Sequence, residues 1–185
     1  MLPIANVNWI DFSVAFLVLS GGTAGLFQGL LRQALFIGGV YISTVLAAQY
    51  YGIVGDQIGL FIPQSDHSVR NALALILIFL VVVVITHWLT YGVYTDTRLP
   101  FLSAVDHLGG AILGLVGAWT LAGVTITMLI FALGLSWHSW EPLQNTVRSE
   151  LSQSVLLPAL RNYLPLVYET IRPWLPSGLP APFVM

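Results

Sequence analysis

The chain contains no cysteine and no lysine. The first absence excludes disulfide bonds, thiolate catalysis and cysteine-based metal sites. The second, with a net charge of −2, leaves no basic stripe of the kind that holds a nucleic acid. Charge of either sign is scarce: Asp, Glu, Lys and Arg make up 8% of the 185 residues, against 57% hydrophobic residues. Soluble domains carry about 25% charged residues. A soluble fold of this size could not cover so much apolar surface with so few charges.

The scarcity is patterned. No Asp, Glu, Lys or Arg occurs from Phe12 to Leu31, from Gln33 to Gly55, from Asn71 to Thr95, or from His107 to Trp140. A helix needs roughly 20 apolar residues to cross a hydrocarbon core about 30 Å thick. All four windows reach that length, and the mean hydropathy is +0.85. The sequence therefore predicts an all-α integral membrane protein. Four transmembrane helices, at about 9–27, 33–50, 71–93 and 107–135, form one domain over 1–135. A C-terminal amphipathic, interfacial helical segment with a Pro-rich end occupies 136–185.

Met1 to Ile10 lacks Lys and Arg, so it has no basic n-region of a cleaved signal peptide. The first apolar stretch is expected to remain as span one, with Trp9 as an interfacial anchor. Gly52, Gly55, Gly59 and Pro63 read as turn chemistry in a connection over 52–69, where Ile58 to Ile62 would dip into the interface. A second polar connection runs from Tyr94 to Asp106. The arginines are spread over all three connections and the tail, which leaves the membrane orientation open. In the tail, Val147, Leu151, Val155, Leu160, Leu164, Val167 and Ile171 recur every three to five residues with charges between them. That pattern predicts helices lying on the membrane surface. Pro158, Pro165 and Pro173 are expected to break or kink them, and the stretch from Pro176 is expected to be disordered.

Small residues four apart share one helix face. Gly21, Gly25 and Gly29 do so on span one, Gly39, Ser43 and Ala47 on span two, and Gly110, Gly114, Ala118 and Ala122 on span four. In lipid, close backbone approach along such seams supplies the packing that hydrophobicity cannot. Spans one, two and four are expected to pack together, with span three meeting more lipid.

Few residues can carry chemistry. Asp11 stands at the first membrane boundary beside Trp9, and Arg32 stands at the junction of spans one and two. Arg32 reads as an anchor that snorkels to the interface, or as a contact for a partner or a lipid headgroup. Arg70 precedes span three. Asp106 is expected to act as the N-cap of span four, or to form a proton-linked pair with His107. His87 lies inside span three and reads as a satisfied interior group. There is no HExxH, GxSxG, Walker loop or GxGxxG, so no metal, cofactor or enzymatic activity is expected.

The segment NWIDFSVAFLVLSGGTAGLFQGLLRQ resembles the start of the colicin V production protein family: an aromatic-x-Asp opening, a Gly-bearing helix, and a turn in which Gly29 and Arg32 match. Gln28 and Gln33 stand where the family usually has an Arg and an acid. VRNALALILIFLVVVVI is similar to the family's third span. VDHLGGAILGLVGAWTL is similar to its fourth, through Asp106, Gly110, Gly114 and Gly117, and SELSQSVLLPAL to its tail. The resemblance implies a multi-pass protein of the bacterial cytoplasmic (inner) membrane, linked to colicin V production or export and to envelope stress. In some relatives the four-span unit anchors an extracytoplasmic serine protease; none is expected after Met185.

The leading expectation is a non-enzymatic helical protein that serves toxin production and envelope processes. Its partners would be membrane lipid, a second copy, or another envelope protein. Two alternatives stand beside it: a small transporter or channel with a polar path at Asp106, His107 and His87, and a membrane anchor for a soluble partner.

Overall fold

A computed structural model of the chain describes residues 7–63, 65–93, 103–135 and 141–175. Six α-helices follow one another: α1 Trp9–Gln28, α2 Leu30–Phe61, α3 His67–Val93, α4 Ser103–Leu133, α5 Glu141–Gln153 and α6 Leu157–Ile171. A single 3-10 turn, Arg172–Trp174, closes the described chain. The first four are long and apolar enough to cross a membrane, so the protein is a multi-pass, all-helical membrane protein with a C-terminal helical segment. The second connection around Asp96, Arg98 and Pro100 and the Pro-rich end lie outside the described residues.

The helix boundaries follow from local chemistry. Asn8 caps α1: its side-chain oxygen accepts from the Asp11 N–H at 3.0 Å, and Asp11 accepts in return from the Asn8 N–H at 3.4 Å. This is a reciprocal capping box. Gly29 alone separates α1 from α2. Its φ of +84° is a conformation that side chains with a Cβ avoid, so one residue suffices to end one helix and begin the next. α2 then continues for 32 residues to Phe61, well past Tyr50, so Gly52, Gly55 and Gly59 lie within a helix rather than in a turn. At 1.5 Å per residue this helix is about 48 Å long, more than the hydrocarbon thickness. Inside the spans, hydroxyls return to their own backbone. Ser43 donates to Gly39 O at 2.6 Å, Thr86 to Val82 O at 2.8 Å and Thr127 to Gly123 O at 3.0 Å. Each pays its polar debt without a partner from water, as the bilayer requires.

Helix α4 is central. Of its most apolar stretch 56% is buried, against 22% for α3. α1 packs along α4, α2 packs along both α3 and α4, and the consecutive helices α1 and α2 touch little beyond their joint. The expected exposure of span three holds, because Leu77, Val84 and Trp88 face outward. The expected grouping of spans one, two and four needs correction, because the seam of span two is turned to α3. Gly39 lies against the Thr86 hydroxyl, and Ala47 packs with Leu75 and Phe79. The bulky side chains of α3 fill the trough that these small residues leave.

The amphipathic tail takes its expected helical form, and its apolar stripe is directed inward. Leu164, Tyr168 and Ile171 are buried among Ala47 and Ala48 of α2, Phe79 of α3 and Val124 and Met128 of α4, and Leu160 among Ile10 and Val14 of α1 and Ala122 and Ile126 of α4. The stripe meets protein rather than lipid because small residues open a space for it: a Cβ at Gly123 would lie 2.8 Å from Leu164 Cδ2. Pro158 sits in the first turn of α6, where its missing N–H costs nothing. α6 runs on through the exposed Pro165 instead of breaking there, since Leu164 and Tyr168 are anchored on either side of it.

Candidate functional site

The α1–α4 interface brings the two predicted glycine seams together. A Cβ at Gly21 would lie 2.7 Å from Gly114 O, one at Gly25 2.7 Å from the Gly110 carbonyl carbon, and one at Gly110 2.8 Å from that of Gly29. These are backbone atoms, which cannot swing aside. Ala118 continues the seam against Gly21. Gly21, Gly25, Gly29, Gly110, Gly114 and Ala118 thus lie along one contact between α1 and α4.

At the end of this seam, α4 clamps the α1–α2 joint. Asp106 is 2% exposed, and its Oδ1 accepts from the Leu30 N–H at 2.8 Å. It lies in the first turn of α4 and caps the start of α2, not the start of its own helix. A Cβ at Gly29 would be 2.5 Å from Asp106 Oδ2, so glycine is required there for space as well as for φ. The neighbouring His107 turns the other way, with Nδ1 on the carbonyl of Leu26 in the last turn of α1. A carbonyl only accepts, so Nδ1 is the protonated ring nitrogen. Two consecutive side chains of α4 therefore hold the end of one helix and the beginning of the next.

A second clamp ties α1 to the tail. Asp11, 3% exposed, accepts from the Ser154 hydroxyl at 2.5 Å and from the Leu156 and Val155 N–H groups at 3.0 and 3.1 Å. The Ser154 oxygen accepts in turn from the Leu157 N–H at 3.1 Å, and the Asn8 amide donates to Glu150 O. A buried carboxylate is costly without partners; here the orphan amides at the start of α6 supply them. A third tie closes α4. Buried Gln144 donates to Leu133 O at 2.7 Å and Leu135 O at 2.6 Å, and Arg148 also reaches Leu133 O. Along α6, Tyr168 donates to the Thr127 hydroxyl at 2.8 Å, and the Tyr163 and Thr120 hydroxyls pair at 2.8 Å. Burial pushes the Tyr168 phenol up to about 12, so it stays a donor.

Arg32 and His87 line a lateral groove of about 280 Å³ between α1 and α3, floored by α2 and α4. Neither Asp106 nor His107 belongs to its lining, so the three residues of the conjectured polar path do not meet. Arg70 lies against Gly59, with Asn71 beside Gly55. There, His67 bridges Asn71 at 3.1 Å and Asp56 at 3.3 Å. Among the described residues no cluster of His, Cys, Asp and Glu could hold a metal ion. Ser154, Gln144 and Arg148 were not singled out by sequence spacing. The Asn8–Asp11 pair carries a visible signal, the cap residue followed three positions on by an acid.

Four spans, helix ends tied by side chains from other elements, and no catalytic constellation among the described residues define a helical-bundle integral membrane protein. The chain belongs to the Colicin V production protein family, whose model matches residues 10–165. No curated protein and no solved structure matches it. The matched range begins just before Asp11 and runs past Ser154, so it takes in both clamping carboxylates and all but the first residue of the four spans.

Proposed function

We propose that the protein is a non-catalytic scaffold of the bacterial cytoplasmic membrane that assists colicin V production or export and related envelope processes, by presenting its bundle to another membrane or envelope protein. One observation carries this reading. The two buried acids of the spans, Asp11 and Asp106, are both spent on the chain's own backbone amides. Carboxylates held in this way fix helix ends, and they are poorly placed to relay ions or protons. The outward face of α1, with Phe12, Phe16 and Leu19, and that of α3 offer apolar surface for lipid or for another spanning helix.

The test is crosslinking in native membranes of a colicin V-producing strain, followed by affinity capture and measurement of secreted toxin. A reproducible membrane or envelope partner, together with reduced toxin release in the deletion strain, is expected. Proteoliposomes containing the purified protein are expected to show no ion flux. A pH-dependent flux abolished by Asp106→Asn would overturn the scaffold reading in favour of transport.

A further inference from the structure

Three helices border a cleft of about 650 Å³ beside the tail. α5 turns Arg148, Leu151 and Ser152 to it, and α6 turns Pro158, Arg161 and Asn162. Each set is spaced i, i+3, i+4, so each set shares one helix face. α4 adds its last turn, with Ile130 and Leu133. The bend at Ser154 sets the two faces around one space. Asp11 fixes that bend, accepting from the Ser154 hydroxyl at 2.5 Å and from the Leu156 N–H at 3.0 Å. α6 is anchored by a different face, where Leu160 and Leu164 are buried. The geometry that buries its apolar stripe therefore leaves Arg161 and Asn162 at the cleft.

The charge at this cleft is positive. Arg161 is exposed and makes no hydrogen bond or ion pair among the described residues. Arg148 gives an Nη2 proton to Leu133 O, a neutral carbonyl, and its guanidinium keeps further donors. The C-terminal carbonyls of α4 answer part of the Arg148 charge, so Arg161 is the less compensated of the two. No described acid lines the cleft. Asp11 is bonded to Ser154 and the amides of the bend, and Glu169 pairs with Arg172 at 3.6 Å. Glu150 stands two positions from Arg148, on the opposite side of α5. Two arginines from separate helices suit a ligand with more than one negative charge. A phosphate monoester carries about −1.5 to −2 charge at pH 7 and three acceptor oxygens, and it matches the guanidinium fork. The cleft also exceeds the needs of a bare anion. Its volume falls among small-molecule pockets of about 300–1,000 Å³, and Ile130, Leu133 and Leu151 give it an apolar wall. We propose that this cleft binds a phosphate monoester with an organic body, its phosphate at Arg161 and Arg148 and its body against that wall. A soluble phosphate ester and a phosphatidate headgroup both present this chemistry, and the test separates them. The proposal does not depend on the scaffold reading, since ligand binding and partner capture fail separately.

The experiment is isothermal titration calorimetry of the full chain in maltoside micelles. The probes are glycerol 3-phosphate, dihexanoyl phosphatidate, inorganic phosphate and succinate. At least one of the two monoesters is expected to bind about tenfold or more tightly than inorganic phosphate and succinate. Glycerol 3-phosphate binding as tightly as phosphatidate assigns a soluble ester, and tighter binding of phosphatidate assigns the lipid headgroup. Arg161→Gln should weaken monoester binding by about tenfold or more, which is about 1.4 kcal/mol, and Arg161→Lys should keep part of it. Arg148→Gln should weaken it as well. Arg172→Gln, whose partner Glu169 lies outside the cleft lining, should change nothing. Far-ultraviolet circular dichroism and gel filtration establish that each variant is folded, and Arg161 has no described bond in the fold to lose. No binding of either monoester, binding unchanged in Arg161→Gln, or binding lost in Arg172→Gln would overturn the proposal. So would inorganic phosphate or succinate binding as tightly as the esters, which would mark an anion site with no place for an organic body or no preference for phosphate.

Discussion

Replacing Gly114 by alanine adds one methyl group where α1 and α4 lie backbone to backbone. The new Cβ would sit 3.0 Å from the Gly21 carbonyl carbon and 3.3 Å from Gly25 Cα, with the Gly21 oxygen closer still. None of these atoms can rotate away, so the helices must separate. Overpacking of this kind costs about 1–3 kcal/mol, and separation also loosens the contacts of Gly25, Gly110 and Ala118 along the same seam. Gly38 and Gly52 of α2 provide the control, because a Cβ at either meets nothing within 4 Å. Helix propensity alone favours alanine over glycine by up to about 1 kcal/mol, so Gly38→Ala and Gly52→Ala are expected to be neutral or mildly stabilising. The assay is reversible unfolding in mixed detergent micelles, followed by circular dichroism and by the monodispersity of the folded fraction on gel filtration. Gly114→Ala should lower stability by about 2 kcal/mol, Gly114→Leu should abolish folded yield, and the α2 variants should match or exceed the parent. Equal losses at all three positions, or none at Gly114, would refute the argument that the seam holds α1 on α4.

Asp11→Ala leaves the Val155 and Leu156 amides without their acceptor. At about 1 kcal/mol for each of these part-buried bonds, it should release α5 and α6, read as new limited-proteolysis cuts near Ser154 while the spans remain protected; unchanged cleavage would count against the second clamp. Tyr168→Phe should cost about 1 kcal/mol through loss of the bond to Thr127. The folded pKa of Tyr168 is raised from 10.0 to about 12, so its contribution is complete below pH 10 and is lost as pH rises from there towards 12. The phenylalanine variant should show a shallower alkaline loss of stability over that window, and an identical slope in parent and variant would contradict the burial of the phenol.

The parts of this fold that sequence spacing exposed are those governed by a single helix face. Charge-free windows mark the spans because every residue of a crossing helix meets the same solvent, and the four-residue spacing of Gly21, Gly25, Gly110 and Gly114 marks two faces able to approach. What spacing could not reveal is which face meets which. The seam of α2 has the same small-residue pattern as that of α1, yet it receives Thr86 and Phe79 from α3, because a seam can accept bulky neighbours as readily as a second seam. Gly55 and Gly59 looked like turn residues for a related reason: glycine at a close crossing and glycine in a bend are identical in sequence, and only the presence of Asn71 and Arg70 against them distinguishes the two. The clamps were hidden by distance along the chain. Asp106 serves Leu30 and Asp11 serves Leu156, pairings that no local pattern encodes. They are nonetheless what the chemistry of a bundle in lipid demands. A helix end near the bilayer has backbone groups that water reaches poorly. α1 and α2 share one glycine and little other contact, and among the described residues it is α4, already alongside through the seam, that satisfies their joint. The seam places Asp106 and His107 at the joint, and the joint gives a buried carboxylate its reason to be there. The placement of the acid therefore depends on the glycines, and a loosened seam should undo the clamp before any residue of the clamp itself is changed.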